Sequence, residues 1–239
     1  MLLETGDILH LAEPLKGVAD VADPSVAAFL AGVGDRLAHL ARCEGPEALV
    51  SAVAETRPDY VLMGSIPDPA LFEHLCAAMR SATLGVIVLA RGGAIPAALR
   101  DAIPARMGVD PLDPAEGLNG FTLHLRALMR RCRPVALTGR QRVGGMLLDE
   151  AALTLTGGAG QASLSLEDMR LIGPMFDVPG AVWSREALLR LAYGAQTENG
   201  LRTVDVKLNR ARRRLRAALG QDPVRSVRGA GYVFDPGIG

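Results

Sequence analysis

Residues 202–219 read RTVDVKLNRARRRLRAAL, and residues 224–235 read VRSVRGAGYVFD. Set on a helix at 100° per residue, Val204, Leu208, Ala211, Leu215, Ala218 and Leu219 of the first stretch share one arc of roughly 100°, the width of a core-facing stripe. Seven cations, Arg202, Lys207, Arg210, Arg212, Arg213, Arg214 and Arg216, spread over the rest of the circumference, with Asp205 as the one acid among them. The plain alternative is a solvated face. A helix that is merely soluble usually mixes Glu with Lys, whereas this one carries an Arg excess, and the Arg fork matches phosphates and guanine edges. Val206 stands among the cations, where an apolar side chain can touch a thymine methyl. The second stretch reads as a hairpin turned by Gly229, Ala230 and Gly231.

Upstream, RVGGMLLDE, ALTLTGG and QASLSL alternate and are punctuated by glycine like a small antiparallel sheet. Two helical segments follow, LEDMRLIGPMF and then REALLRLAY, the second with Ser184 as its N-cap and Gly194 as its stop. Sheet, helices, basic helix and hairpin give an α+β winged-helix order, in which the last helix can enter a major groove. Gly173 and Pro174 fall inside the first of these helices, where Pro removes a donor and clashes with the preceding turn, so a break or kink is expected there.

The first half is patterned differently. Apolar runs at 8–12, 37–41, 60–64, 85–90 and, weakly, 107–109 alternate with amphipathic segments near 25–33, 46–56, 69–80, 95–102 and 115–131. This implies a parallel sheet covered by helices on both faces. Between the halves, RRCRPVALTGR at 130–140 combines charge, Pro and Gly. The expected organisation is residues 1–131, a linker at 132–139, and residues 140–239.

The 239 residues are 49% hydrophobic, enough for two cores. The formal charge is zero overall, yet residues through Arg130 hold 10 basic and 16 acidic side chains and the remainder 16 and 10, so the halves carry minus six and plus six. No run approaches the length of a membrane span, and MLLETGD places acids where a signal peptide has cations, so a cytoplasmic, membrane-free protein is expected. Cys43, Cys76 and Cys132 fit neither a disulfide framework nor a zinc ribbon. His39 and Cys43 lack a second ligand pair, and His10, His74 and His124 stand alone, so no metal or other cofactor is expected. The glycines of AGVGD and RGGA match no nucleotide-binding fingerprint, and the strand ends offer no nucleophile with a partner base, so no enzyme is expected.

RTVDVKLNRARRRL followed by SVRGAGYVF closely resembles the signature of OmpR/PhoB-type response-regulator effector domains, and PGAVWSREALL at 179–189 extends the resemblance back to about Arg142. It implies that the basic helix lies in a major groove of double-stranded DNA, with the wing in the adjacent minor groove. Arg202, Thr203, Lys207, Asn209, Arg210 and Arg212 are then expected to contact phosphates or base edges, Ser226 and Arg228 to act from the wing, and Tyr193 and Tyr232 to grip the backbone. The resemblance also implies a contact with RNA polymerase through AQTENGL at 195–201.

The same family carries an N-terminal receiver domain of flavodoxin-like, five-stranded parallel design, and RPDYVL at 57–62 and LRALMRR at 125–131 resemble it. On this resemblance the acidic pair after the first strand falls on Ala12 and Glu13, the phosphoacceptor on Gly64, the hydroxyl residue on Ala90 and the lysine on Asp110. Such a pocket lacks the nucleophile, the hard oxygen ligands and the cation of phosphoryl chemistry. A receiver fold that acts as a dimerisation or docking platform without aspartyl phosphorylation is therefore expected. The family's charged dimer face is altered, with His124 where an arginine is usual. Alternatives are phosphorylation at Ser65 or Asp68, a winged helix that binds protein, and a thiol or small-molecule sensor.

Overall fold

The computed structural model describes residues 15–33, 37, 39–64, 70, 73–75, 77, 85–90, 108–132, 134, 137, 139–158, 160–194 and 200–237. The chain divides into two compact units, Met1–Arg133 and Pro134–Gly239.

In the first unit, β1 (Gly17–Asp20), β2 (Leu40–Cys43), β3 (Tyr60–Met63), β4 (Gly85–Leu89) and β5 (Gly108–Leu112) form one sheet in the order β2-β1-β3-β4-β5. Every neighbouring pair is parallel. This is the flavodoxin-like order, with its switch point between β1 and β3. β3, β4 and β5 are buried at every residue, which is why YVLM and GVIVL read as unbroken apolar runs. Helices α1 (Pro24–Val33), α2 (Pro46–Thr56) and α3 (Gly117–Cys132) belong to this unit. α1 buries Val26, Phe29, Leu30 and Val33, spaced i, i+3, i+4, i+7. Phe121 of α3 lies 5.9 Å from the Phe29 ring and 5.6 Å, edge on, from Tyr60.

Two expectations are corrected here. The apolar run at 8–12 lies outside the described residues, and the place of the first strand is taken by GVAD at 17–20. That strand is hard to see in sequence because it is built from small residues: a Cβ on Gly17 would fall 2.3 Å from the Tyr60 ring. The weak strand expected at 107–109 runs on to Leu112 through Pro111, which is tolerated because β5 is the last strand in the order.

In the second unit, β6 (Arg140–Val143), β7 (Met146–Asp149), β8 (Thr154–Gly157) and β9 (Gly160–Ser163) form an antiparallel meander. Helices α4 (Leu166–Asp177), α5 (Arg185–Tyr193) and α6 (Leu201–Leu219) follow. A three-stranded sheet in the order β10-β12-β11 combines β10 (Val182–Trp183) with the hairpin β11 (Val224–Val227) and β12 (Gly231–Phe234). The fold is a winged helix preceded by a small sheet. α4 starts with a reciprocal Ser165–Asp168 capping box, and Ser184 caps α5 by accepting from the Ala187 N–H at 3.1 Å. The break expected at Gly173–Pro174 is absent. α4 is continuous to Asp177 because Pro174 lies near its end, removes a single ladder bond, and is buried with Met175 and Phe176. Phe176 then meets Phe234 of the wing at 4.9 Å.

Candidate functional site

α6 buries Val204, Leu208, Ala211, Leu215 and Leu219 against the core of the second unit, and Ala218 packs partly against it. This is the stripe read from the sequence. Its counterface carries Arg202, Val206, Asn209, Arg210 and Arg213, all exposed, Val206 by 40%.

The flanks between these two stripes are bound to the protein itself. On one flank Lys207 Nζ lies 2.5 Å from Glu167 Oε2, and Arg214 pairs with Asp168, both acids of the first turn of α4. On the other, Arg212 donates through Nε and Nη2 to Asp222 Oδ2 at 3.1 and 3.0 Å, and Arg216 Nη2 reaches the same oxygen at 2.8 Å. Asp205 accepts from Arg185 Nε at 2.8 Å and from the Tyr232 hydroxyl at 2.6 Å, while the Arg185 guanidinium stands 5.3 Å over the Tyr232 ring. These bonds hold the Asp205 carboxyl below its usual range, the Tyr232 hydrogen bond foremost. Burial and the same bond push Tyr232 up to about 12.

Of the seven cations of α6, four are therefore matched by carboxylates, and Arg202, Arg210 and Arg213 have none among the described residues. Arg213 Nε reaches only the Asn209 carbonyl, at 3.4 Å. The wing adds Ser226 and Arg228, both exposed. Its turn depends on glycine twice: Gly229 has φ +74°, and Gly231, at φ +143°, is so close to β10 that a Cβ would fall 1.9 Å from the Trp183 carbonyl oxygen.

The expected contacts thus fall into three groups. Arg202, Val206, Asn209, Arg210, Ser226 and Arg228 are exposed, and Thr203 is half-buried with its N–H on the Gly200 carbonyl. Lys207 and Arg212 face acids. The hydroxyls of Tyr193 and Tyr232 are placed differently from those of the exposed set. Tyr232 is 3% exposed with its hydroxyl on Asp205, and the Tyr193 hydroxyl is buried without a hydrogen bond among the described residues. Sequence reading missed Arg185, Glu167, Asp168 and Asp222. The signal it left unused was the demand of so basic a helix for acids on its neighbours. Of the loop at 195–201, residues 195–199 lie outside the described residues.

The strand ends of the first unit form the second place of interest. Ala12 and Glu13 lie outside the described residues, as do Ser65 and Asp68, and the residues that follow β1 are Val21, Ala22 and Asp23. Asp23 caps α1 from beside Pro24, its Oδ1 accepting from the Ser25 N–H at 2.8 Å. The same carboxylate covers Gly64 after β3, where a Cβ would lie 2.1 Å from Oδ1 and 2.4 Å from Cγ. Asp20 Oδ1 accepts from the Gly45 N–H at 2.9 Å and the Ala22 N–H at 3.0 Å. Ala90 follows β4 and contributes no polar side chain. Asp110 is not at a strand end: it lies in the middle of β5, fully buried, opposite Ile87. Burial drives its carboxyl up, but Arg131 Nη2 at 2.8 Å, together with His124, outweighs that and holds it below the usual range. The residue beyond β5 is Asp113, whose Oδ1 accepts from the Ala115 N–H at 2.9 Å. Among the described residues, the carboxylates of Asp20 and Asp23 near the end of β1 and of Asp113 after β5 accept backbone N–H bonds. No group of three or more His, Cys, Asp or Glu gathers to hold a metal among the described residues.

By fold the protein joins a unit of flavodoxin-like strand order to a winged-helix unit. Residues 160–234 match the family described as "Transcriptional regulatory protein, C terminal". The chain is 33% identical over 111 residues to the phosphate regulon transcriptional regulatory protein PhoB of Rhizobium meliloti, covering 46% of this chain and 49% of that one. It is 27% identical over 190 residues to the transcriptional regulatory protein AfsQ1 of Streptomyces coelicolor, covering 76% of this chain and 80% of the relative. Among solved structures, the RstA DNA-binding domain of Klebsiella pneumoniae in complex with the RstA box is similar at 25% identity and a TM-score of 0.35, over 41% of this chain and 98% of that one. The chain spans about half the length of the PhoB relatives it matches. Among the described residues, no helix is long and apolar enough to cross a membrane.

Proposed function

We propose that this protein is a sequence-specific, double-stranded-DNA-binding transcription regulator of the OmpR/PhoB type. The observation that carries the reading is the outer stripe of α6, in which Arg202, Val206, Asn209 and Arg210 stand exposed together opposite the buried stripe, on the segment that matches the transcriptional regulatory family. An Arg fork reads guanine, a carboxamide reads adenine and an apolar group meets the thymine methyl, so this set can specify sequence, while Ser226 and Arg228 contact the adjacent backbone or minor groove.

The N-terminal unit acts in this reading as a homodimerisation or protein-docking platform that does not depend on aspartyl phosphorylation. Gly64 offers no acceptor, and the neighbouring Asp20 and Asp23 carboxylates accept backbone N–H bonds of the fold. The loop at 195–201 is the proposed contact with RNA polymerase, and the protein works in the cytoplasm. The test is selection of random duplexes by the full-length, unphosphorylated protein. Enrichment of one motif is the expected result, and a pool that stays random after repeated rounds would refute the regulator reading.

A further inference from the structure

Asp222 lies just beyond the C-terminus of α6, two residues after the cap Gly220. A carboxylate at the negative end of a helix dipole is badly placed unless cations hold it. Two do: Arg212 grips it through Nε and Nη2, Arg216 through Nη2, and the Asp222 side chain is 13% exposed. Arg212 also reaches back to the counterface, its Nη1 donating to Asn209 Oδ1 at 3.4 Å. Both arginines thus belong by sequence to the basic surface and by contact to the protein.

Resting on the DNA-binding reading, we propose that Asp222 is a specificity-determining residue that withholds Arg212 and Arg216 from DNA phosphates. Phosphate contacts carry affinity for any duplex, and base contacts carry discrimination. Two arginines released to the backbone tighten binding to every sequence and so narrow the gap between the right site and all others. With them held on Asp222, Lys207 on Glu167, Arg214 on Asp168 and Arg225 of the wing on Asp235, the cations of α6 and the wing hairpin without a carboxylate among the described residues are Arg202, Arg210, Arg213 and Arg228. Four phosphate neutralisations correspond to a slope of log K against log salt of about −3.6 per bound copy, and release of two more arginines steepens it to about −5.4. The Asn209 contact acts in the same direction, because an Arg212 fixed on Asp222 fixes the carboxamide beside the exposed stripe.

The test compares full-length wild type, Asp222→Asn and Arg212→Gln/Arg216→Gln on the selected site and on a scrambled duplex of equal length, across a salt series. Asp222→Asn keeps the side-chain shape and removes the charge. It is expected to bind the scrambled duplex at least about threefold more tightly, to gain less on the selected site, and to steepen the salt slope by about one to two units. The double glutamine variant is expected to keep the wild-type slope, and this arm still decides the matter if Asp222→Asn folds poorly. Wild-type affinity and slope in Asp222→Asn, or a slope shallower by about two in the glutamine variant, would overturn the proposal while leaving the regulator reading intact. Failure of wild type to prefer the selected site would remove both.

Discussion

At residue 64 the absent side chain and the carboxylate of Asp23 share one volume, since a Cβ would stand 2.1 Å from Asp23 Oδ1. The carboxylate can yield only by abandoning the first turn of α1, where it accepts from Ser25 N at 2.8 Å. Gly64→Ala should therefore cost about 1–2 kcal/mol, the usual worth of such a cap, and Asp23→Ala about the same. Because both changes remove one arrangement, the double variant should cost clearly less than their sum in urea unfolding; strict additivity would show that the two positions do not compete. Asp110 poses a different problem at this scale. Its folded pKa lies below the unfolded value, so its contribution is full above the unfolded carboxylate value of about 4 and is lost as pH falls through the folded value. Arg131→Met leaves a buried charge without its 2.8 Å partner and should cost about 3–5 kcal/mol at neutral pH, with the deficit shrinking in acid as Asp110 takes up a proton. A deficit that stays constant from pH 7 to about pH 4 would show that the pair is not what protects Asp110.

At the scale of the element, α6 is a beam held along both edges by acids and left open along one stripe. Helix and wing should separate by phenotype on a selected site. Arg210→Ala should cost about 1–3 kcal/mol and relax preference at one base position, while Arg228→Ala should weaken binding evenly or alter A·T preference beside the site. Unchanged affinity and base preference for Arg210→Ala would mean that the stripe does not face the groove. The stripe itself was legible because it follows from helical period, and the wing from its glycines. Which cations stay free was not, because Glu167 and Asp168 lie 40 and 46 positions from the side chains they bind, and only the tertiary fold brings them there. The parallel sheet was legible in YVLM and GVIVL, whose burial on both faces demands continuous apolar runs. Strand β1 was not, because Gly17 and Ala19 carry too little apolar surface to outrank the neighbouring ILHLA. That displacement placed the residues expected after the first strand at Ala12 and Glu13, whereas Val21, Ala22 and Asp23 follow β1.

For the whole molecule, the two compact units carry opposite charge, and the flavodoxin-like sheet of the acidic one raises the question of whether its strand ends can take up a phosphoryl group. In-line phosphoryl transfer needs a nucleophile, a cation held by hard oxygen ligands, and positive charge near the transferring oxygens. Gly64 provides no nucleophile. Among the described residues, the carboxylates at and after the end of β1 are tied to backbone donors, Asp20 to Gly45 and Ala22, and Asp23 to Ser25. Ala90 has no hydroxyl, and Asp113 adds negative charge beyond β5. Adding one piece does not supply this set: in Gly64→Asp the new side chain would collide with Asp23 and place a second carboxylate against the first, a cost on top of the steric one. Full-length wild type and Gly64→Asp, incubated with Mg²⁺ and a small phosphodonor, should both keep their unmodified intact mass and bind the selected duplex with the affinity of untreated protein. Gly64→Asp should also unfold at lower urea than wild type, which separates a damaged pocket from an inert one. Stoichiometric phosphorylation of wild type accompanied by tighter DNA binding would show that a side chain elsewhere in the protein accepts the phosphoryl group and signals.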